Sequence, residues 1–148
     1  MATPSQILTA LQDQLKNSSD LSYIADEAVI LGAREAYDLY PCVAIEKVRT
    51  AEEEIDINTL VSIRMAVVVI AIIRVHDPSI QVVGSGTNYG IVDVENHIKK
   101  AISEDKTLGG LAIDITIGQA VNDFEEFPVR SVGIELEIFF RQTELTRT

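Results

Sequence analysis

The sequence predicts an α+β domain built in two layers, a twisted, mainly antiparallel sheet flanked by two main helices. Three observations predict it. Residues 89–105, YGIVDVENHIKKAISED, carry Ile91, Val94, Ile98 and Ile102 at three- and four-residue steps, which makes one apolar stripe on a helix. Met65 to Ile73 is an unbroken apolar run between Arg64 and Arg74, the mark of a central strand covered on both faces at its middle. The chain then closes on two alternating segments. The first is Leu111, Ile113, Ile115 and Ile117; the second is Val132, Ile134, Leu136, Ile138 and Phe140. A glycine-bearing acidic loop of about a dozen residues joins them, so they read as a long antiparallel pair.

The remaining elements follow in order. Thr3 or Ser5 can cap a first helix, with Pro4 in its first turn and Ile7, Leu8, Leu11 and Leu15 on one face. Asn17-Ser18-Ser19-Asp20 ends it. Glu27 to Leu31 reads as a short strand closed by Gly32, and Ala33 to Leu39 as a turn or loop. Tyr40 to Glu46 reads as a strand, with Pro41 at its start or on an edge because it lacks an N–H. Arg49 to Thr59 is polar, and Glu52, Glu53 and Glu54 repel one another, which predicts a solvated loop. The long strand spans Val61 to Val75. His76-Asp77-Pro78-Ser79 is a turn signal, Ile80 to Val83 a strand or extended loop, and Gly84 to Asn88 a flexible connector. Leu108-Gly109-Gly110 breaks the chain between helix and hairpin. The expected core is Ile7, Leu11, Val67, Val69, Ile98, Ile113, Ile115, Leu136 and Ile138.

At 148 residues the chain is read as one domain, 1–148, with a core that needs neither metal nor disulfide. Aromatic residues are 5% and Trp is absent, so Val, Ile and Leu must fill that core, which favours sheet. The formal charge of −11 argues against wrapping a phosphate backbone, and Lys99-Lys100 is the only adjacent basic pair. A lone Cys42 excludes an intrachain disulfide. The start MATPSQILTALQDQL has neither the basic nor the apolar region of a secretory signal. The longest apolar run falls far short of the roughly 20 residues that span a bilayer, so no membrane association is expected.

No motif predicts catalysis. Gly84-x-Gly86-x-x-x-Gly90 is superficially a dinucleotide loop, but its spacing is wrong and a hairpin follows where crossovers are needed, so no cofactor is expected. Cys42 with His76 or His97 is the only thiol arrangement available, and Cys42 lies in an apolar run that suits a small core residue. His76-Asp77 offers too few ligands for a metal, and Pro78 makes a turn the simpler account. Glu52, Glu53, Glu54 and Asp56 lack the spacing of a calcium loop. Glu135 and Glu137 share a strand face with Arg141; as a hydrolase pair they would need a cleft. Surfaces therefore carry the functional expectation. Glu52, Glu53, Glu54, His76, Asp77, Ser85, Thr87 and Asn88 are candidate partner contacts in loops that a neighbour would order.

The layout resembles the tail terminator (tail completion) proteins of long-tailed bacteriophages. The matching parts are the helix around QILTALQDQL, the YPCVAIE strand, and the apolar strand that follows an acidic loop. They continue with the helix IVDVENHIKKAISED and with KTLGGLAIDIT running into VRSVGIELEIFFRQ, so the resemblance spans Ile7 to Gln142. It implies an α/β fold with a twisted sheet flanked by helices, and a homo-hexameric ring. Such a ring sits at the head-proximal end of the tail in the virion, after assembly in the host cytoplasm. Its partners would be the tail tube protein, whose polymerisation it ends, and a head connector or stopper protein. DNA would pass through the lumen without specific binding, past an acidic wall to which Glu135 and Glu137 are assigned. Another neck, head–tail connector or minor tail protein is the alternative within that setting. A small enzyme or ligand-binding module is the alternative outside it.

Overall fold

The computed structural model describes residues 2–33, 37–54, 60–85, 89–126 and 128–143, with the backbone alone described at 53, 54, 60, 78, 122–126 and 143. Helix α1 runs over Pro4–Asn17. Thr3 caps it through a reciprocal box. The Gln6 amide N–H donates to the Thr3 hydroxyl at 3.3 Å, and the Thr3 amide donates to the Gln6 side chain at 3.0 Å. Pro4 takes the first turn, where its missing N–H costs nothing. Ile7, Leu11 and Leu15 are buried on its inner face.

Strand β1 (Val29–Leu31) is short and pairs parallel with β2 (Cys42–Glu54). Strand β3 (Leu60–Arg74) is the long apolar strand and lies at the sheet's centre. Helix α2 (Pro78–Val83) and helix α3 (Ile91–Ser103) follow, and then β4 (Asp114–Glu126) and β5 (Val129–Thr143). The sheet order is β1-β2-β3-β5-β4, antiparallel except at β1. The α+β reading therefore holds.

Both main helices cover one face of the sheet. On β3 the residues aimed at them are Val61, Ile63, Met65, Val67, Val69, Ala71 and Ile73, all buried. Their partners on β5 are Val132, Ile134, Leu136, Ile138 and Phe140, also buried. Ile91, Val94, Ile98, Ala101 and Ile102 of α3 fill the space above. The Gln14 amide donates to the Ala101 and Ile102 carbonyls at 3.0 and 3.1 Å, which ties α1 to the last turn of α3 and satisfies two of its open acceptors.

Four expectations need correction. First, Glu126 pairs with Val129, so β4 and β5 meet through residues 127 and 128 and not through a dozen-residue loop. The polar stretch after Gly118 is strand, because β4 is an edge strand and water can solvate its outer side. Two register irregularities, between Ile117 and Ala120 and between Val121 and Phe124, accommodate the broken alternation. Second, β2 continues to Glu54, opposite Val61, so Arg49 to Glu54 is paired strand and only residues 55–59 lie outside the description. Third, Ile80 to Val83 is helical, because Asp77 caps α2 and Pro78 starts it. Fourth, Ile113 is 52% exposed. It sits in the bend before β4, and Leu108 and Ala112 are buried in its place. The other expected core residues are all buried.

Leu108, Gly109 and Gly110 all have positive φ. Only glycine adopts such backbone without strain, which explains the Gly-Gly pair at this reversal. The Asp105 carboxylate holds the turn, accepting from the Thr107 amide at 2.9 Å, the Thr107 hydroxyl at 2.6 Å and the Gly109 amide at 2.8 Å.

Candidate functional site

The face of the sheet turned away from the helices is built by strand alternation; it is open around Arg49, Arg64 and Glu135 and buried at Ala44, Ile72 and Ser131. Where Val67 and Leu136 point to the helices, their neighbours Ala66, Val68, Glu135 and Glu137 point away. Arg64 stands opposite Phe139 in the ladder, and its guanidinium lies 4.9 Å from the Phe139 ring centre. The same guanidinium pairs with Glu137 at 3.0 Å. Glu135 is exposed. On this face Glu46, Asp114, Glu135 and Glu137 are interspersed with Arg49, Arg64 and Arg141, so its charge is mixed. A depression of about 200 Å³ lies on it among Val48, Ala66, Val68, Thr116, Gly118 and Glu135. That is below the roughly 300–1,000 Å³ of a small-molecule cleft.

The candidate partner contacts fall into two groups at opposite ends of β3. Glu52, Glu53 and Glu54 end β2, opposite Ile63, Ser62 and Val61; Glu52 is exposed. His76 and Asp77 follow the other end of β3 and are exposed, as is Ser85. Thr87 and Asn88 lie outside the described residues. A strand of this length spans roughly 45–50 Å, so the two groups cannot form one site. Asp77 serves its helix: its carboxylate accepts from the Ser79 hydroxyl at 2.7 Å and from the Ser79 and Ile80 amides at 2.9 and 3.3 Å. The Ser79 hydroxyl bond, then the two amide bonds, hold this carboxyl below its usual range.

The glycine motif makes no nucleotide loop among the described residues. A helix, α2, precedes Gly84, where a dinucleotide fold needs a strand end. A methyl group at Gly90 would run into the Val82 carbonyl and the Gly84 amide, so this glycine lets α2 pack against the start of α3. Cys42 is buried, and burial pushes its thiol up to about 11, the opposite of what a nucleophile requires. No grouping of metal-ligating side chains occurs among the described residues. No helix of the described residues is long and apolar enough to cross a membrane.

An aromatic corner beside α3 is invisible to local sequence pattern. Tyr23 and Tyr89 lie with ring centres 4.4 Å apart, and the His97 ring meets both edge-on. The Tyr23 hydroxyl and His97 Nδ1 are 2.9 Å apart. Burial, then the neighbouring Tyr89 and Asp93, pushes the Tyr23 phenol well above its ordinary range. Tyr23, Tyr40, Arg74 and Tyr89 also line a depression of about 210 Å³. Spacing could not have revealed this corner, because Tyr23 lies in a turn far along the chain from Tyr89, just before α3, and from His97 within it.

Neither a family model nor any curated protein matches the chain. Among solved structures it is similar to a chain in the virion of a native gene transfer agent particle. The likeness has a TM-score of 0.50 at 11% identity and covers 90% of this chain and 92% of that one. At that identity the shared property is the fold.

Proposed function

We propose that this chain is a structural protein of a phage-type virion, and within that class a tail terminator. Six copies form a ring on the last ring of the tail tube, end its polymerisation and offer their other face to the head connector. The observation that carries the proposal is the fold, shared over nearly the whole of both chains with a virion component. Three further features support it. The sequence resembles that family from Ile7 to Gln142. Among the described residues, nothing joins a nucleophile, a base or a metal set in a cleft. The two groups of candidate contacts lie at opposite ends of the long strand, which suits a protein with one neighbour above and another below. Another neck or minor tail protein is the second reading, because the likeness is to a chain of a virion and concerns the fold alone.

The test is a particle assembled without this chain. Loss of a terminator leaves tubes of uncontrolled length and heads unjoined to tails. Tails of normal length, or tails absent altogether, would favour the neck or minor-tail reading.

A further inference from the structure

We infer that copies of this chain join edge to edge, the upper half of the outer edge of β2 in one copy pairing antiparallel with β4 of the next. The inference deepens the ring proposal by naming the contact, and it rests on that proposal only for closure at six.

The argument begins with which edges are protected. An open strand edge presents unpaired N–H and C=O groups, and proteins blunt such edges with cover, bulges or charge. Here β1 pairs with β2 at Val43, Ala44 and Ile45 and goes no further; the Gly32 amide closes that ladder on the Ile45 carbonyl. Val48 bulges out of register between Lys47 and Arg49, and beyond it, from Arg49 to Ala51, no described strand lies on the outer side of β2. At the other edge β4 is irregular beyond Ile117, and Asp114 to Ile117 is its unbroken stretch. Each edge is thus protected in one half and open in the other.

The open halves lie at the same height. Following the ladders across the sheet, Arg49, Ala66, Glu137 and Thr116 form one row. Thr50, Met65, Ile138 and Ile115 form the next, and Ala51, Arg64, Phe139 and Asp114 the one after. A second copy set beside the first without axial shift therefore brings open edge against open edge. The directions also agree. β2 is antiparallel to β3, β3 to β5 and β5 to β4, so a neighbour's β2 meets β4 antiparallel.

Side chains on the two edges are complementary. One exposed apolar residue marks each open half: Val48 on β2 and Ile113 just before β4. In the shared row Arg49 of one copy faces Thr116 of the next. Asp114 then lies diagonally across on the same face, within reach of a guanidinium. The contact is heterologous: one edge cannot pair with its own kind in this register, so each copy keeps one edge free for a third.

The experiment uses the full chain with Arg49→Cys, with Thr116→Cys, and with both. A short bis-maleimide joins close thiols, and buried Cys42 makes the unaltered chain the control. The two single variants, mixed, should give one heterodimer band, and neither should cross-link alone. The doubly substituted chain should give a ladder. An independent charge test uses Arg49→Glu, which should weaken self-association about ten-fold, with Asp114→Arg added on the same chain restoring it. A six-copy mass by native mass spectrometry with no heterodimer band would overturn the edge pairing and leave the ring standing. A ladder that never closes at six would support the pairing and contradict the ring. A chain that stays monomeric, without cross-links, would contradict both.

Discussion

Single residues divide into those that hold the fold and those that only look as if they should. Leu136 and Ile98 are buried between sheet and helices, and truncating either to Ala should cost about 2–4 kcal/mol in a urea titration. Ile113→Ala should cost no more than about 0.5 kcal/mol, because the side chain stands largely in water. Gly90→Ala should destabilise despite the small change, since the added methyl meets backbone atoms that cannot move aside cheaply. Asp105 gives a pH-dependent signature. Bonds from the Thr107 hydroxyl and then the Gly109 and Thr107 amides hold its carboxyl below the ordinary 3.8. Its contribution is therefore fully present above that ordinary value and is lost as pH falls through the lower folded value. Asp105→Asn should lower stability at pH 7, where the charge is lost and one acceptor oxygen becomes a donor facing an N–H, and should remove this part of the acid sensitivity, as thermal unfolding at pH 7 and in acid will show. Equal acid sensitivity in both proteins would place the effect elsewhere.

At the scale of elements, what the sequence displayed clearly were the segments whose apolar periodicity is unbroken. α1, α3, β3 and β5 each carry one stripe or one run, and each falls where expected. What it hid were the places where an edge or a cap overrides composition. The outer half of β4 is polar because water covers its free side, so composition alone reads it as loop. The end of β2 carries three glutamates, yet the ladder to Val61, Ser62 and Ile63 holds it extended. Ile80 to Val83 has strand-like residues, but a capping aspartate and a first-turn proline decide for helix. Legibility of the candidate surfaces was poorer still. Glu135 and Glu137 do share the face turned away from the helices, but pairing of Glu137 with Arg64 depends on a cross-strand register that no local pattern displays. The pair is largely solvated, so Arg64→Ala should change stability by no more than about 1 kcal/mol. A larger loss would mean that the stacking on Phe139 contributes more than its exposure suggests.

Across the whole molecule, the −11 charge is distributed unevenly. The sheet face turned away from the helices alternates carboxylates with Arg49, Arg64 and Arg141, whereas the helical layer carries Asp13, Asp20, Asp26, Asp93, Glu95, Glu104 and Asp105 against Lys16, Lys99, Lys100 and Lys106. Lys99 is paired with Glu95 at 2.8 Å and Lys100 with Asp20 at 3.2 Å. A wall lined by the sheet face would thus be close to neutral and one lined by helices acidic, and neither releases counterions from a duplex as a basic wall does. Duplex DNA should bind no tighter than micromolar at physiological salt; sub-micromolar affinity with a steep salt dependence would remove the idea of a lumen that lets DNA slide. The central claim concerns assembly, and one measurement reaches it directly. A reconstruction of the particle should place six copies of this chain in a closed ring between the last tail-tube ring and the head connector. This chain found at another symmetry, or away from the head-proximal end of the tail, would contradict the account.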